Sequence, residues 1–278
     1  MTDDNQFNTW STLEIRLDAA TIFRPYQNDR AMKTILIPVD FQPAAGKVLH
    51  YIEKVFKDQL IRVELLYVLT SSEKMTKEDV QKSYSDFEHK YLEGTTLPHH
   101  FTVVEGKLLD QIQNKIDELR PSLVAIGLSG NSLVKSLLKL VRCPLLMIPG
   151  KTEFSAIRNI VYANDFQNIK VSSAFKPLWD FAKSNGARIH IVHVTKGATV
   201  PPDEEEGSLE YYLENVDHEY ASIKSDDFVG AINNYATEKK IDLLTLLLRD
   251  HGNNALPSRG KFVQELLTRT QLPILTLV

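Results

Sequence analysis

Apolar residues along this chain occur in two alternating modes. The first is the short continuous run: Lys33-Thr-Ile-Leu-Ile-Pro-Val-Asp40, Val63-Glu-Leu-Leu-Tyr-Val68, Leu123-Val-Ala-Ile126 and Cys143-Pro-Leu-Leu-Met-Ile148. Runs of this kind predict strands buried on both faces. The second mode spaces apolar residues three and four apart: Val48, Ile52, Val55 and Phe56, then Leu108, Leu109, Ile112, Ile116 and Leu119. These predict amphipathic helices lying on the strands. A polar, helix-like stretch over 72–94 and a short strand over 100–104 complete the series.

The series then repeats. Arg158-Asn-Ile-Val-Tyr-Ala-Asn-Asp165-Phe-Gln matches the first run through its Asp-Phe-Gln ending, which also occurs at Asp40-Phe41-Gln42. A helix face of Ala174, Leu178, Phe181 and Ala182 follows, then a strand Ile189-His-Ile-Val-His-Val194. A polar helix-like stretch over 207–221, a strand over 221–224 and a helix carrying Phe228, Ile232, Tyr235 and Ala236 come next. Leu243-Leu-Thr-Leu-Leu247 and Leu272-Pro-Ile-Leu-Thr-Leu277 close the second copy. The offset is 125 at the aspartates, 126 at the ends of the second strands and 129 at Pro144 and Pro273. The expected fold is therefore α/β: two tandem Rossmann-like domains, each a five-stranded parallel sheet with helices on both faces. Their expected bounds are 33–149 and 157–278, with 1–32 as an N-terminal extension and a linker from Pro149 to Ala156 that has little to pack.

Bulk composition narrows the function. The 278 residues fit about two domains. A net charge of −4 lacks the basic excess of a nucleic-acid protein. The absence of a long apolar run leaves no membrane span, and the polar start from Met1 to Asn8 does not read as a signal peptide. A single cysteine, Cys143, precludes an intrachain disulfide and fits a cytoplasmic protein.

In an open parallel sheet, ligands bind beyond the carboxyl ends of the strands, at the switch point. Asp40 and Asp165 end the first strand of each copy, and each suits either a ribose or base contact or a helix cap. The loop after the fourth strand of copy one is Gly127-Leu-Ser-Gly130-Asn131-Ser132. It can cradle an anion on backbone N–H groups, or simply turn a strand into a helix. Copy two has Arg249-Asp-His-Gly-Asn-Asn-Ala-Leu-Pro-Ser-Arg259-Gly260-Lys261, nine residues longer. Its basic side chains suit an anion, or a solvated surface loop. Apolar residues of the helix that follows in copy one, Leu133, Leu137, Leu138 and Leu140, suit core packing, with contact to the sister copy as the alternative.

Taken in order, Ile-Leu-Ile-Pro-Val-Asp-Phe41, the strand ending at Val68, the Gly127-x-x-Gly130 loop and Cys143-Pro-Leu-Leu-Met-Ile148 resemble the universal stress protein family. Asn164-Asp165-Phe166, Ile191-Val-His-Val194 and Leu272-Pro-Ile-Leu repeat the set, so the chain resembles the tandem form. The resemblance implies the strand order 3-2-1-4-5. It also implies pairing of the two copies as an intrachain pseudo-dimer through their last strands, and a possible homodimer beyond that. Some members bind ATP or AMP. The resemblance places such a ligand against Pro38, Val39, Asp40, Val68, Gly127, Gly130, Asn131 and Ser132 in copy one. In copy two it points to Asn164, Asp165, Val194, Arg259, Gly260 and Lys261.

ATP-binding members carry Gly-x2-Gly-x9-Gly-Ser/Thr, and neither copy does. In copy one Asn131-Ser132 stand where the final pair belongs, and the nine-residue spacer is missing. In copy two Gly260 holds its place thirteen residues before Pro273, but Lys261 replaces the hydroxyl, and Leu247 and Leu248 fill the place of the first glycine.

Three function classes follow. The first is a stress-response protein binding an adenine nucleotide or similar phosphate-bearing ligand. The second is a ligand-free adaptor acting through its dimer surface. An enzyme ranks last. His99-His100 precede a strand, His190 and His193 lie on one and His218 precedes one, without metal-ligand spacing. Asp203-Glu-Glu-Glu206 reads as a solvated run, so no metal is expected, and Cys143 reads as inert core.

Overall fold

A computed structural model of the chain describes residues 32–128, 132–140, 142–152, 154, 156–164, 172–196, 213, 215–248 and 256–278. For Ser132, Leu140, Asn164, 172–173 and 256–261 only the backbone is described. Met32–Val278 is one compact unit.

Its first half runs β1 (Lys33–Pro38), α1 (Pro43–Val55), β2 (Ile61–Leu69), α2 (Lys77–Tyr91), β3 (His99–Glu105), α3 (Leu108–Leu119), β4 (Leu123–Leu128), α4 (Ser132–Leu140) and β5 (Leu145–Pro149). The second half runs β6 (Asn159–Asn164), α5 (Lys176–Asn185), β7 (Arg188–Thr195), β8 (His218–Lys224), α6 (Phe228–Glu238), β9 (Leu243–Leu247), α7 (Leu256–Arg269) and β10 (Ile274–Leu277). A 3₁₀ turn, Ser172–Phe175, leads into α5.

All ten strands form one sheet of order β3-β2-β1-β4-β5-β10-β9-β6-β7-β8. Each half is the parallel five-strand order 3-2-1-4-5, and the halves join where β5 and β10 pair antiparallel. The tandem α/β architecture and the pairing through the last strands are as the sequence and the resemblance imply. Helices cover both faces in two continuous apolar layers. α1, α2 and α5 pack on one, and α3, α4, α6 and α7 on the other.

The repeat explains how the halves meet. Leu146 lies opposite Leu275, its own repeat mate 129 residues on. Phe56 stacks edge-on against its mate Phe181 at 5.1 Å. Gln59 Nε2 donates to Ser184 Oγ, again its mate, at 2.8 Å. Only a pseudo-two-fold axis brings repeat mates together this way. Leu137 and Leu138 are buried in the layer that also holds Val263 and Leu266 of α7, so α4 packs on both the sheet and the sister half.

Several local expectations are corrected. α2 covers only part of 72–94, because Thr76 stops the chain there with a capping box. Thr76 Oγ1 accepts from Asp79 N–H at 3.2 Å, and the Asp79 carboxylate accepts from Thr76 N–H at 2.9 Å. Residues 218–221, expected as the end of a helical stretch, belong to β8, which pairs with β7 from Ile189↔His218 onward. His99 and His218 accordingly begin β3 and β8 rather than preceding them. The linker is tied down: Lys47 donates to the Gly150 carbonyl, Thr152 Oγ1 donates to Gln271 O at 2.7 Å, and Phe154 packs edge-on against Tyr51. Leu256–Lys261, expected as loop, form the first turns of α7.

Candidate functional site

Along β1, alternate N–H groups point to opposite neighbours. Lys33 and Val39 donate to Leu60 and Leu66 beside β2, while the Thr34 carbonyl accepts from Ser122 N–H beside β4. The even-numbered positions therefore face β4, and at the last of them stands Pro38, which has no N–H to give. β1 and β4 pair only at Ile35↔Leu123 and Leu36↔Val124. Their pairing ends there, at the switch point of the first half, the place where an open parallel sheet forms its ligand crevice.

Asp40 sits exposed two residues beyond the end of β1. Its Oδ1 accepts from Gln42 N–H at 3.0 Å, an Asx turn. The N-cap of α1 is Gln42, which makes no side-chain cap bond, and Pro43 takes the first turn. Asp40 therefore organises the turn without being the cap. Phe41 follows in the left-handed region, at φ 57°, and its ring stacks on Tyr67 at 4.8 Å. Tyr67 donates to Glu73 Oε1 at 3.2 Å. Burial, then Glu73, then Asp40 raise the Tyr67 pKa, so its phenol stays protonated beside two carboxylates.

Across the switch point, Gly127, next to last in β4, lies against the start of α1. A Cβ at Gly127 would lie 2.5 Å from the Ala44 carbonyl oxygen. The glycine thus lets the amino end of α1 close onto β4. The backbone of Ser132 begins α4. Pro38, Val39 and Asp40 lie at the carboxyl end of β1 and Gly127 near that of β4, the two strands that flank the switch point, and Val68 lies one strand away, near the end of β2. Gly130 and Asn131 lie outside the described residues, as does the side chain of Ser132.

In the second half, Ala163 occupies the place of Pro38. β6 and β9 stay paired over four positions, through Ala163↔Leu246. Leu247 replaces Gly127 and is buried. Asn164 ends β6 and Val194 lies near the end of β7. Asp165 lies outside the described residues. Arg259, Gly260 and Lys261 lie within α7, not at its start, and their side chains are not described.

Among the described residues, no group of three His, Cys, Asp or Glu side chains could hold a metal ion. Nor is any described helix long and apolar enough to cross a membrane. Burial pushes the Cys143 thiol up to about 12.

No family model and no curated protein matches the sequence. The fold does match solved structures. A universal stress protein from Archaeoglobus fulgidus is similar with a TM-score of 0.69 at 16% identity, over 88% of this chain and 96% of that one. A putative universal stress protein from Pseudomonas aeruginosa is similar at 0.57 and 16%, over 89% and 94%. The cytoplasmic domain of a prokaryotic cation chloride cotransporter is similar at 0.55 and 10%, over 89% and 96%. The class is thus a Rossmann-like tandem α/β protein. More narrowly, the chain has the universal stress protein fold in its two-domain form.

Proposed function

We propose that this chain is a tandem universal stress protein that binds an adenine nucleotide, ATP or AMP, or a similar phosphate-bearing ligand, in the crevice of its first half. The observation that carries this reading is the end of β1–β4 pairing short of Pro38, at the switch point, with Asp40 exposed just beyond β1 and α1 and α4 starting after the same two strands. Backbone N–H groups at helix starts suit a phosphate, and Asp40 suits a ribose or base. Asn131 and Ser132 supply the phosphate end, and Gly130 the close approach. The second half, with Ala163 and Leu247 at the corresponding places, is the weaker site or none; there Asn164, Asp165, Val194, Arg259, Gly260 and Lys261 would carry what binding occurs. The two repeats, 33–149 and 157–278, act as the two domains. The protein binds rather than catalyses, and its lone buried thiol suits a cytoplasmic setting.

The test is calorimetric titration with ATP and AMP, together with mass spectrometry of the supernatant after denaturing freshly purified protein. We expect micromolar to millimolar binding that Asp40→Ala weakens about tenfold and that Asp165→Ala leaves nearly unchanged. An empty protein indifferent to both nucleotides at millimolar concentration overturns the reading. The fold shared with the cotransporter's cytoplasmic domain favours, in that case, an adaptor module that works through its surface.

A further inference from the structure

Tyr51 and Lys176 are repeat mates, 125 residues apart, and they treat the boundary between the halves differently. Tyr51 is 4% exposed and packs under the second half, where burial and the nearby Asp242 carboxylate hold its phenol protonated. Lys176 instead turns to Asp180, one helical turn along α5, at 3.3 Å. In the first half the space that corresponds to the tyrosine's stays open as a cavity of about 260 Å³.

The cavity lies at the amino ends of β1, β4 and β5, at the opposite end of the sheet from the switch-point crevice. Its walls are apolar: Phe56 and Phe181 from the pseudo-two-fold, Leu123, and the prolines 121 and 144. Its rim is charged. Asp180 receives Lys33 Nζ at 2.6 Å as well as Lys176. These three side chains are 20%, 33% and 14% exposed for Lys33, Lys176 and Asp180. Two ammonium groups thus share one carboxylate, and Ser122 adds a hydroxyl to the lining. In the second half Val55 stands for Asp180 and Tyr51 for Lys176, so this rim is built once, not twice.

A partly buried cation pair with a single counter-charge is complementary to a second carboxylate, and the apolar walls suit a compact hydrocarbon body. The volume is that of about eight or nine waters, which admits a benzoate-sized body. We propose that this cavity binds a small carboxylic acid with an aromatic or branched aliphatic body, its carboxylate on Lys33 and Lys176. The site is independent of the nucleotide crevice.

The probe is benzoate, titrated into the full chain and followed by calorimetry and by ¹H–¹⁵N chemical shifts. Wild-type protein binds it at low-millimolar Kd, and benzyl alcohol binds at least about tenfold more weakly. Lys176→Tyr, which restores the residue found at the mate position, fills the cavity and abolishes binding. Lys176→Met weakens it about tenfold and decides the matter if Lys176→Tyr does not fold. Saturating ATP leaves the benzoate affinity unchanged. The proposal is overturned if benzoate does not bind, if Lys176→Tyr or Lys176→Met binds it as wild type does, if the alcohol binds equally well, or if ATP competes.

Discussion

The two halves of this sheet share one strand order and one apolar pattern, yet they differ at the end of the first strand. In the first half Pro38 withholds an N–H from β4, and pairing stops after Leu36↔Val124. In the second half Ala163 allows pairing to run on to Leu246. The same contrast recurs on the facing wall. Gly127 admits the start of α1, whereas Leu247 fills its own space. On the proposed function, one repeat keeps room for a ligand and the other fills that room with packing, although both keep the same core. A duplicated fold can thus specialise by one missing hydrogen-bond donor and one missing side chain.

The most damaging test strikes what the halves share. Phe56→Ala or Phe181→Ala removes one ring of a mated pair at the axis, and each should cost roughly 3–5 kcal/mol in chemical denaturation. The double variant should cost less than the sum, by about 1 kcal/mol. Strict additivity would mean that the rings do not act as a pair.

The strand-end contrast is broken by exchange. Ala163→Pro should cost roughly 3 kcal/mol, because a paired N–H is lost from an interior strand. Pro38→Ala should change stability by less than about 1 kcal/mol but weaken nucleotide binding by lengthening the β1–β4 ladder. Equal costs at the two sites would show that Pro38 does not set the crevice. Gly127→Ala should cost about 2 kcal/mol by forcing the start of α1 outward, and should lower ligand affinity with it. Leu247→Ala should cost a similar amount as a cavity without touching ligand affinity. Both are read from denaturation midpoints alongside ligand titrations.

A smaller effect comes from the second strands. Glu64 and His190 are repeat mates, and each faces the opposite partner on its edge strand, His100 at 3.1 Å and Glu219 at 2.9 Å. His190 is buried, and burial lowers its pKa against the opposing pull of Glu219. As pH falls below the unfolded value of about 6.5, the unfolded chain takes up a proton that the folded chain resists. Stability contributed by the neutral ring is thus complete above that pH and declines below it. The Tm should fall between pH 7 and pH 5.5, and His190→Gln should flatten that slope. An unchanged slope would mean that His190 does not titrate with unfolding. The smallest expected signal is at Cys143. Its buried, high-pKa thiol should react with a disulfide reagent far more slowly in native than in unfolded protein.

Much of this was legible in the order of residues. Continuous apolar runs and three-four periodicity marked nearly every strand and helix, because burial on both faces of a parallel sheet leaves no other pattern. The repeat was legible because its register survives between Asp40 and Asp165. The ends of the polar segments were not. The start of β8 lies in a stretch whose exposed positions alternate with half-buried ones at a sheet edge, so little apolar signal marks it. The start of α2 depended on Thr76 and Asp79 bonding each other's backbone, a local competition that hydropathy does not register. At the site, Asp40 and Gly127 stood out by type. The partner of Gly127, Ala44, did not, since nothing in an alanine announces what it touches.

The sequence by itself determined the α/β class and the duplication, which follow from composition and periodicity and are local, while its family resemblance implied the five-strand order of each copy. Only the tertiary structure decided that the two sheets fuse through Leu146 and Leu275, and that β1–β4 pairing stops short of Pro38 while β6–β9 pairing reaches Ala163. It alone showed Lys33 of the first half meeting Asp180 of the second. Each depends on which residues from distant parts of the chain meet across the axis or the ladder, and contact at a distance is set by packing, not by the pattern along the chain.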